Sequence, residues 1–208
     1  MGRRFAELAF TPKVKEQQQL HDSRQQYERV EQAGRPDSEL GPQEQAFIRR
    51  RDEFYMATVS ETGWPYIQYR GGAKGFLRVI DDRTLGFADL LGNKQYISIG
   101  NLQHDSRVAL FLMDYPAQRR LKIFGRARIH QGDDTALQLI RKLKSASEAT
   151  PAERAILIDV EAFDWNCLQY IIPRYIQEEL IDILAPMRSR LRDLEAENAE
   201  LRKSKIKQ

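Results

Sequence analysis

Three stretches of the sequence place positive side chains next to glycines and amides. Arg70 precedes Gly71-Gly72, Lys94 lies within Gly92-Asn-Lys-Gln95, and Arg119-Arg-Leu-Lys122 adds three more cations. A phosphate dianion held without a metal needs about two or three such cations, with N–H groups or amides for its other oxygens. If Lys94 begins a helix, the free N–H groups of its first turn add to the site. On spacing alone, three solvated surface patches are the commoner outcome, and a phosphate site is the functional hypothesis.

Signals for other kinds of site are missing. His21, His104 and His130 are scattered, without the i, i+4 pair or the HExxH motif of a zinc site. Ser98 lacks the first glycine of a nucleophile elbow, so a hydrolase triad has no support. The run Gly71-Gly-Ala-Lys-Gly75 matches neither a dinucleotide fingerprint nor a P-loop and is typical of a turn.

Composition limits the class of protein. The 208 residues are 41% hydrophobic, enough for a sizeable core, and 33 Lys and Arg are interleaved with 30 Asp and Glu, which argues against a nucleic-acid patch. No apolar run approaches the roughly 20 residues of a membrane span, and Phe5–Phe10 is too short for a signal peptide. The only cysteine, Cys167, is predicted to be a small buried side chain and is typical of a reducing compartment. We therefore expect a cytoplasmic protein with neither a membrane nor a nucleic-acid partner.

The middle of the chain must supply the elements that position these cations. Alternating apolar residues predict strands, and 3.6-residue spacing predicts helices. The predicted strands are 53–60, 66–69, 75–80, 84–88, 107–113, 121–129 and 155–163, and the predicted helices between them are 94–102 and 133–143. Six or seven short strands with two interposed helices favour a closed or nearly closed antiparallel sheet.

Helices are predicted at both ends of the chain. Residues 12–32 read as a solvated helix, and Pro42 opens a short helix through Ile48. From Tyr170 the pattern is helical again, with Pro173 and Pro186 as expected boundaries.

The C-terminal helix carries a heptad pattern. Its a and d positions are Leu180, Leu184, Met187, Leu191, Leu194, Asn198 and Leu201. Opposite charges at the g and e positions, with Asn198 at an a position, favour a short parallel coiled coil. A lone amphipathic helix packed on its own domain is the alternative, because fewer than four heptads is short.

The ordered combination of these segments resembles the FMN-binding split-barrel family related to pyridoxamine 5′-phosphate oxidase. The resemblance covers roughly 53–129 and, more weakly, 156–171. It is carried by Pro65-Tyr-Ile-Gln-Tyr-Arg-Gly-Gly72, Gly75-Phe76, Thr84-Leu-Gly-Phe-Ala-Asp89, Gly92-Asn-Lys-Gln95, Ser98, Gly100-Asn101 and Arg119-Arg-Leu-Lys-Ile-Phe-Gly-Arg-Ala127.

This resemblance implies a mainly β protein, a six-stranded antiparallel split barrel with a Greek-key sheet, that forms a homodimer with two FMN sites at the subunit interface. It implies a cofactor site made by Gln68, Tyr69, Arg70, Gly71, Asn93, Lys94, Gln95, Ser98, Asn101, Arg120 and Lys122. The domains expected are an N-terminal helical arm (1–48), the barrel (49–170) and a C-terminal helical extension (171–208).

Two departures from pyridoxamine 5′-phosphate oxidase itself limit what is implied. Its Arg-Lys pair at the phosphate-binding turn stands here as Lys94-Gln95, and its arginine-rich substrate-binding tail has no counterpart. Oxidation of vitamin B6 is therefore not supported. We expect an FMN-dependent oxidoreductase of unknown small-molecule substrate, with NAD(P)H as a candidate electron donor and no assignable acid or base. The alternatives are a flavin- or haem-binding sensor or stress protein without turnover, a deazaflavin in place of FMN, and a scaffold acting through its helical tail.

Overall fold

The computed structural model describes residues 3–33, 37–165 and 169–206, and the side chains of residues 33 and 204–206 fall outside that description. Asn166 and Cys167 also lie outside the described residues. The chain forms two compact units, one of Met1–Asp114 with Arg119–Gln169 and one of Tyr115–Gln118 with Tyr170–Gln208. The predicted division into three domains stays a prediction.

The described residues contain seven strands and seven helices. The helices are α1 (Arg4–Ala9), α2 (Pro12–Leu20), α3 (Arg24–Ala33), α4 (Pro42–Ile48), α5 (Ile97–His104), α6 (Asp134–Leu143) and α7 (Gln177–Ile206). The strands are β1 (Glu53–Val59), β2 (Pro65–Gly71), β3 (Arg78–Val79), β4 (Thr84–Leu90), β5 (Arg107–Asp114), β6 (Arg119–His130) and β7 (Ala152–Trp165). The mainly antiparallel sheet with flanking helices is confirmed, although the family resemblance implied six strands and the two-residue β3 makes a seventh.

All pairings in the sheet are antiparallel, in the order β2-β1-β5-β6-β7-β4-β3. The sheet curls, because side chains of strands far apart in that order meet in one core. The ring of Phe54 on β1 packs edge-on against Phe87 on β4, with 5.3 Å between centroids, and stacks on Phe76 at 5.5 Å. The curl brings the β2 edge towards β4, and this closure positions the site described below.

Strand alternation decides which side chains enter the core. On β1 the side chains of Phe54, Met56 and Thr58 are buried, while their neighbours are only partly covered. On β6 Leu121 and Ile123 are buried in the same way. Because successive side chains of a strand point to opposite faces, the residues between them lie on the outer face of the sheet.

Local signals account for the short helices. Gly41 is the N-cap of α4 and Pro42 occupies its first turn, where a missing N–H costs nothing. Asp133 caps α6 by accepting a hydrogen bond from the backbone N–H of Ala136 at 2.6 Å. The predicted helix at the N-terminus is split into α2 and α3, with Asp22 between them at a φ of 56°.

Three predicted helix boundaries were wrong. Helix α7 begins at Gln177 and not at Tyr170, because Tyr170 has a φ of 64° and Pro173 disfavours the helical conformation at the residue before it. Pro186 lies inside α7 rather than at its end. The helix around it is exposed, so water can satisfy the carbonyl that loses its donor to proline. Helix α5 begins at Ile97 and not at Lys94, because Lys94 and Tyr96 have φ values of 62° and 54° that a right-handed helix cannot include.

Candidate functional site

A small cleft opens where the β2 edge faces the end of β4. Its walls are β2, the loop 91–96, the first turn of α5 and the start of β7. We call it the loop cleft; it is lined by Tyr66, Gln68, Arg70, Asp89, Leu90, Gly92, Asn93, Lys94, Gln95, Tyr96, Ile97, Ser98, Ile99, Glu153 and Arg154. Its volume is about 80 Å³. The structure thus brings six of the eleven predicted cofactor residues to one place: Gln68, Arg70, Asn93, Lys94, Gln95 and Ser98.

A buried carboxylate stands at the base of this cleft between two arginines. Asp89 Oδ1 accepts from Arg70 Nη1 at 2.5 Å, and Asp89 Oδ2 accepts from Arg154 Nη1 at 3.0 Å. Asp89 and Arg154 are directly opposite in the pairing of β4 with β7, whereas Arg70 reaches across from the curled β2 edge. The Nε atoms of Arg70 and Arg154 are buried and have no hydrogen-bond partner among the described residues. The site therefore holds more buried donors than its own acceptors satisfy.

Glu153 and Tyr96 extend the cluster of Asp89 and its two arginines towards the surface. Arg154 Nη2 donates to Glu153 Oε2 at 2.9 Å, and Tyr96 Oη donates to Glu153 Oε1 at 2.9 Å. The hydrogen bond to the Glu153 carboxylate raises the pKa of the Tyr96 phenol above its usual value. The guanidinium of Arg154 also lies 5.1 Å from the centroid of the Tyr96 ring. Together these contacts hold the end of the loop against β7.

The loop itself carries backbone conformations that side chains seldom adopt. Lys94 and Tyr96 both have positive φ, and Asn93 Oδ1 accepts from the backbone N–H of Gln95 at 3.2 Å. Such strain is characteristic of functional loops. The Lys94 side chain is exposed and forms no ion pair within the described part of the chain. With Arg70 and Arg154 it gives the cleft three cations against the two carboxylates of Asp89 and Glu153.

One partly buried and one buried hydrogen bond attach α5 to the sheet. Ser98 Oγ donates to Gln68 Oε1 at 2.7 Å, and Asn101 Nδ2 donates to Thr58 Oγ1 at 2.9 Å. Asn101 points into the barrel and does not line the cleft, so in this chain it positions the helix.

The remaining four predicted residues lie elsewhere. Tyr69 and Gly71 alternate to the outer face of β2, and Arg120 and Lys122 alternate to the outer face of β6, opposite Leu121 and Ile123. On that outer face the ladder aligns Tyr69, Tyr55, Phe111 and Lys122 across four strands. Burial and the carboxylate of Glu53 raise the pKa of the Tyr69 phenol. The structure does not bring these four residues into the loop cleft.

Sequence reasoning did not assign a binding role to Glu153, Arg154 or Tyr96. One signal was present: Arg154 directly precedes the apolar run Ala155–Ile158, and a charged residue beside a buried strand segment needs a partner. That partner is Asp89, which also accepts a hydrogen bond from Arg70.

A second and larger cleft, of about 1010 Å³, lies between α3, the start of α4 and the end of β7. Three of its charged side chains pair with one another, Arg3 with Asp37 and Asp164, and Glu44 accepts a hydrogen bond from the indole N–H of Trp165. It contains none of the residues predicted from the sequence to bind a cofactor. We therefore place the candidate site in the smaller cleft, where buried donors remain unsatisfied.

The family model described as pyridoxamine 5′-phosphate oxidase matches residues 40–167, more than half of the chain. The chain belongs to the pyridoxamine 5′-phosphate oxidase family. The matched segment contains every strand of the sheet and the whole loop cleft. No curated protein matches the chain in sequence.

Two solved structures are similar to parts of the chain. A single-substitution variant of HupZ from Group A Streptococcus is 15% identical with a TM-score of 0.50, and the match covers 61% of this chain and 99% of that one. An FMN-binding protein from Syntrophomonas wolfei is 14% identical with a TM-score of 0.49, over 72% of this chain and 97% of that one. At such identities the likeness to HupZ shows the fold alone. Among the described helices, none has the length and apolar character that a membrane span requires.

Proposed function

We propose that this member of the family binds FMN, with the phosphate end in the loop cleft, and acts as a flavin-dependent oxidoreductase on a small molecule. The observation that carries the proposal is the unpaired Lys94 on a strained loop, beside the buried Arg154 and the partly buried Arg70, which share a single buried aspartate. Family membership supplies the cofactor class, and the cleft supplies a reason why an anion would bind there.

The donor set fits a phosphate ester. A dianion is held by charge-assisted hydrogen bonds, which are roughly twice as strong as neutral ones. Lys94 would supply a mobile ammonium group, and the amide of Gln95 and the loop N–H groups would supply further donors. Arg70 and Arg154 are already held by Asp89, so their part is to fix β2 and β7 and to make the local potential positive.

The size of the cleft supports a shared site. A volume of about 80 Å³ is far below the roughly 300–1,000 Å³ of sites that enclose a whole cofactor. The cleft in one chain would therefore hold only part of FMN, and a second copy would cover the rest. Ile67 and Tyr69, 63% and 55% exposed on the edge strand β2, offer an apolar surface for that homodimer.

In such a dimer, contact with the cofactor bound to the other copy is the role expected of Tyr69, Arg120 and Lys122. These three side chains lie on the outer face of the sheet, and a dimer that buries this face would bring them towards the partner's cofactor and not their own. Bound FMN would supply the redox chemistry, because in a flavoprotein the cofactor carries the hydride-transfer reactivity. The protein would bind the phosphate, orient the cofactor along β2 and exclude water.

Lys94→Met tests this proposal, with Lys74→Met as the matched control on an exposed turn. Loss of one charge-assisted contact should weaken FMN binding by about tenfold to hundredfold. The control should bind as the unsubstituted chain does, and both variants should keep its melting temperature because both lysines are exposed. Titration monitored by flavin fluorescence measures the dissociation constants.

The nature of the cofactor and turnover need separate measurements. A mass spectrum of the small molecule released on denaturation distinguishes FMN from a deazaflavin or haem. Loss of the visible flavin absorption on adding NAD(P)H distinguishes an oxidoreductase from a binding protein. Equal affinities of the two lysine variants for FMN, or no flavin uptake by the unsubstituted chain, would refute the assignment of the cleft.

A further inference from the structure

The C-terminal helix α7 presents apolar side chains to solvent along most of its length. It spans 30 residues, about 45 Å, and the side chains of Met187, Leu191 and Leu201 are 68%, 57% and 59% exposed. Leu180 and Leu194 are exposed as well. A helix with an uncovered apolar row of this length normally pairs with another surface.

The spacing of these side chains indicates that their partner is another helix. They repeat at alternating intervals of four and three residues, from Leu180 (d) through Leu184 (a) to Leu201 (d), which is the seam of a coiled coil. Pro186 falls at a c position, on the side of the helix away from that seam. The proline therefore leaves the contact row intact, and its presence inside the helix is compatible with pairing.

The charges beside this row are complementary to those on a second copy of the same helix. In a parallel in-register pair each g position faces the e position five residues later in the partner. Arg190 then faces the partner's Glu195, and Glu197 faces the partner's Arg202, with opposite signs in both cases. Since both contacts occur twice in a symmetric pair, four attractive pairs surround the seam.

Asn198 occupies an a position and fixes the alignment. Opposite a leucine its amide would be buried without a hydrogen-bond partner, which is costly. In a parallel in-register pair the two Asn198 amides face each other and can bond. A single asparagine at an a position specifies register and two strands in this way.

We propose that α7 forms a parallel two-stranded coiled coil with α7 of a second copy of this chain. The inference goes beyond the proposed flavin site and does not depend on it. The row of a and d residues covers fewer than four heptads, which gives a weak coiled coil in an isolated helix. We therefore test it in the full-length chain.

Disulfide trapping tests both the pairing and its direction. Leu194→Cys places a thiol at a d position, where an in-register parallel pair brings it against its own copy, and Ala196→Cys places one at the outward f position as the control. Because Cys167 is the only native cysteine, the unsubstituted chain gives the baseline. Under mild oxidation the 194–194 disulfide should form about tenfold faster or more than the 196–196 disulfide, because pairing raises the effective thiol concentration. Mass spectrometry of the cross-linked peptide identifies the linkage.

A charge exchange checks the same geometry without a new thiol. Arg190→Glu should lower the melting temperature, because it sets a second carboxylate against the partner's Glu195. Adding Glu195→Arg should restore the attraction and with it the melting temperature. Equal rates of cross-linking at 194 and 196, no cross-link at 194, or a double variant no better than Arg190→Glu would each overturn the proposal.

Discussion

Replacing Asp89 with asparagine removes the carboxylate that lies between two guanidinium groups in the wall of the loop cleft. The Asp89 side chain is 5% exposed, that of Arg154 is 4% exposed and that of Arg70 is 16% exposed. At an effective dielectric constant of about 20, each attraction is worth roughly 4 kcal/mol before the cost of desolvation. After the substitution two positive charges remain buried side by side with no compensating charge between them.

We therefore expect Asp89→Asn to lower the free energy of unfolding by about 3–5 kcal/mol, the range typical for breaking a buried ion pair. The matched control is Asp159→Asn. It breaks an equally well-formed pair, with Arg128 Nε and Nη2 donating at 2.7 and 2.8 Å, but both of its side chains are about half exposed. Water screens that pair, so the control should lose only about 0.2–1 kcal/mol.

Urea unfolding followed by circular dichroism at one fixed protein concentration measures these losses. Urea is used because guanidinium chloride would screen the charges under test. A double-mutant cycle adds a second reading: Arg154→Met should cost less in the Asp89→Asn background than in the unsubstituted chain, with a coupling of about 1 kcal/mol or more. A loss from Asp89→Asn no larger than that from Asp159→Asn, together with zero coupling, would show that the buried pairs do not stabilise this edge of the barrel.

Two further predictions concern the fold around the site. A Cβ at Gly125 would lie 2.7 Å from the carbonyl oxygen of Asp159, so Gly125→Ala should cost about 1–3 kcal/mol, whereas Gly100→Ala on α5, where the space is open, should stabilise by up to about 1 kcal/mol. Urea unfolding of both variants checks this, and equal effects would contradict it. Arg107 donates from its backbone N–H and guanidinium to Asp105 and lowers the pKa of that carboxyl from 3.8 to about 2. The carboxylate therefore stabilises the folded state above pH 3.8, and this contribution disappears as the pH falls through 2. Asp105→Asn should be about 0.5–1 kcal/mol less stable than the unsubstituted chain at pH 7, a value reduced for the exposure of Arg107, and the gap should close on acidification; a gap that widens would refute the assignment.

The strands and most helices could be predicted because their signals are local. The β-forming residues of 53–60 predicted β1, and the alternation of apolar and basic residues over 121–129 predicted β6. Pro42 and Asp133 marked the starts of two helices. Predictions failed where the surroundings of a segment in the folded protein outweighed its local sequence preference. Pro186 did not end α7, and Lys94 did not begin α5, since the loop before that helix is bound to β7 through Tyr96.

The candidate site could likewise be predicted only in part from the sequence. Lys94 and its neighbouring amides could be recognised because they are adjacent in the chain, and a residue type at a given spacing is visible in a sequence. The contacts of Asp89 could not, because its partners are 19 and 65 residues away, on β2 and β7. Only the curl of the sheet brings β2 to β4, and only the register of β4 with β7 sets Arg154 opposite Asp89. Strand alternation likewise separates Arg120 and Lys122 from the cleft, because neighbouring side chains of a strand must point to opposite faces.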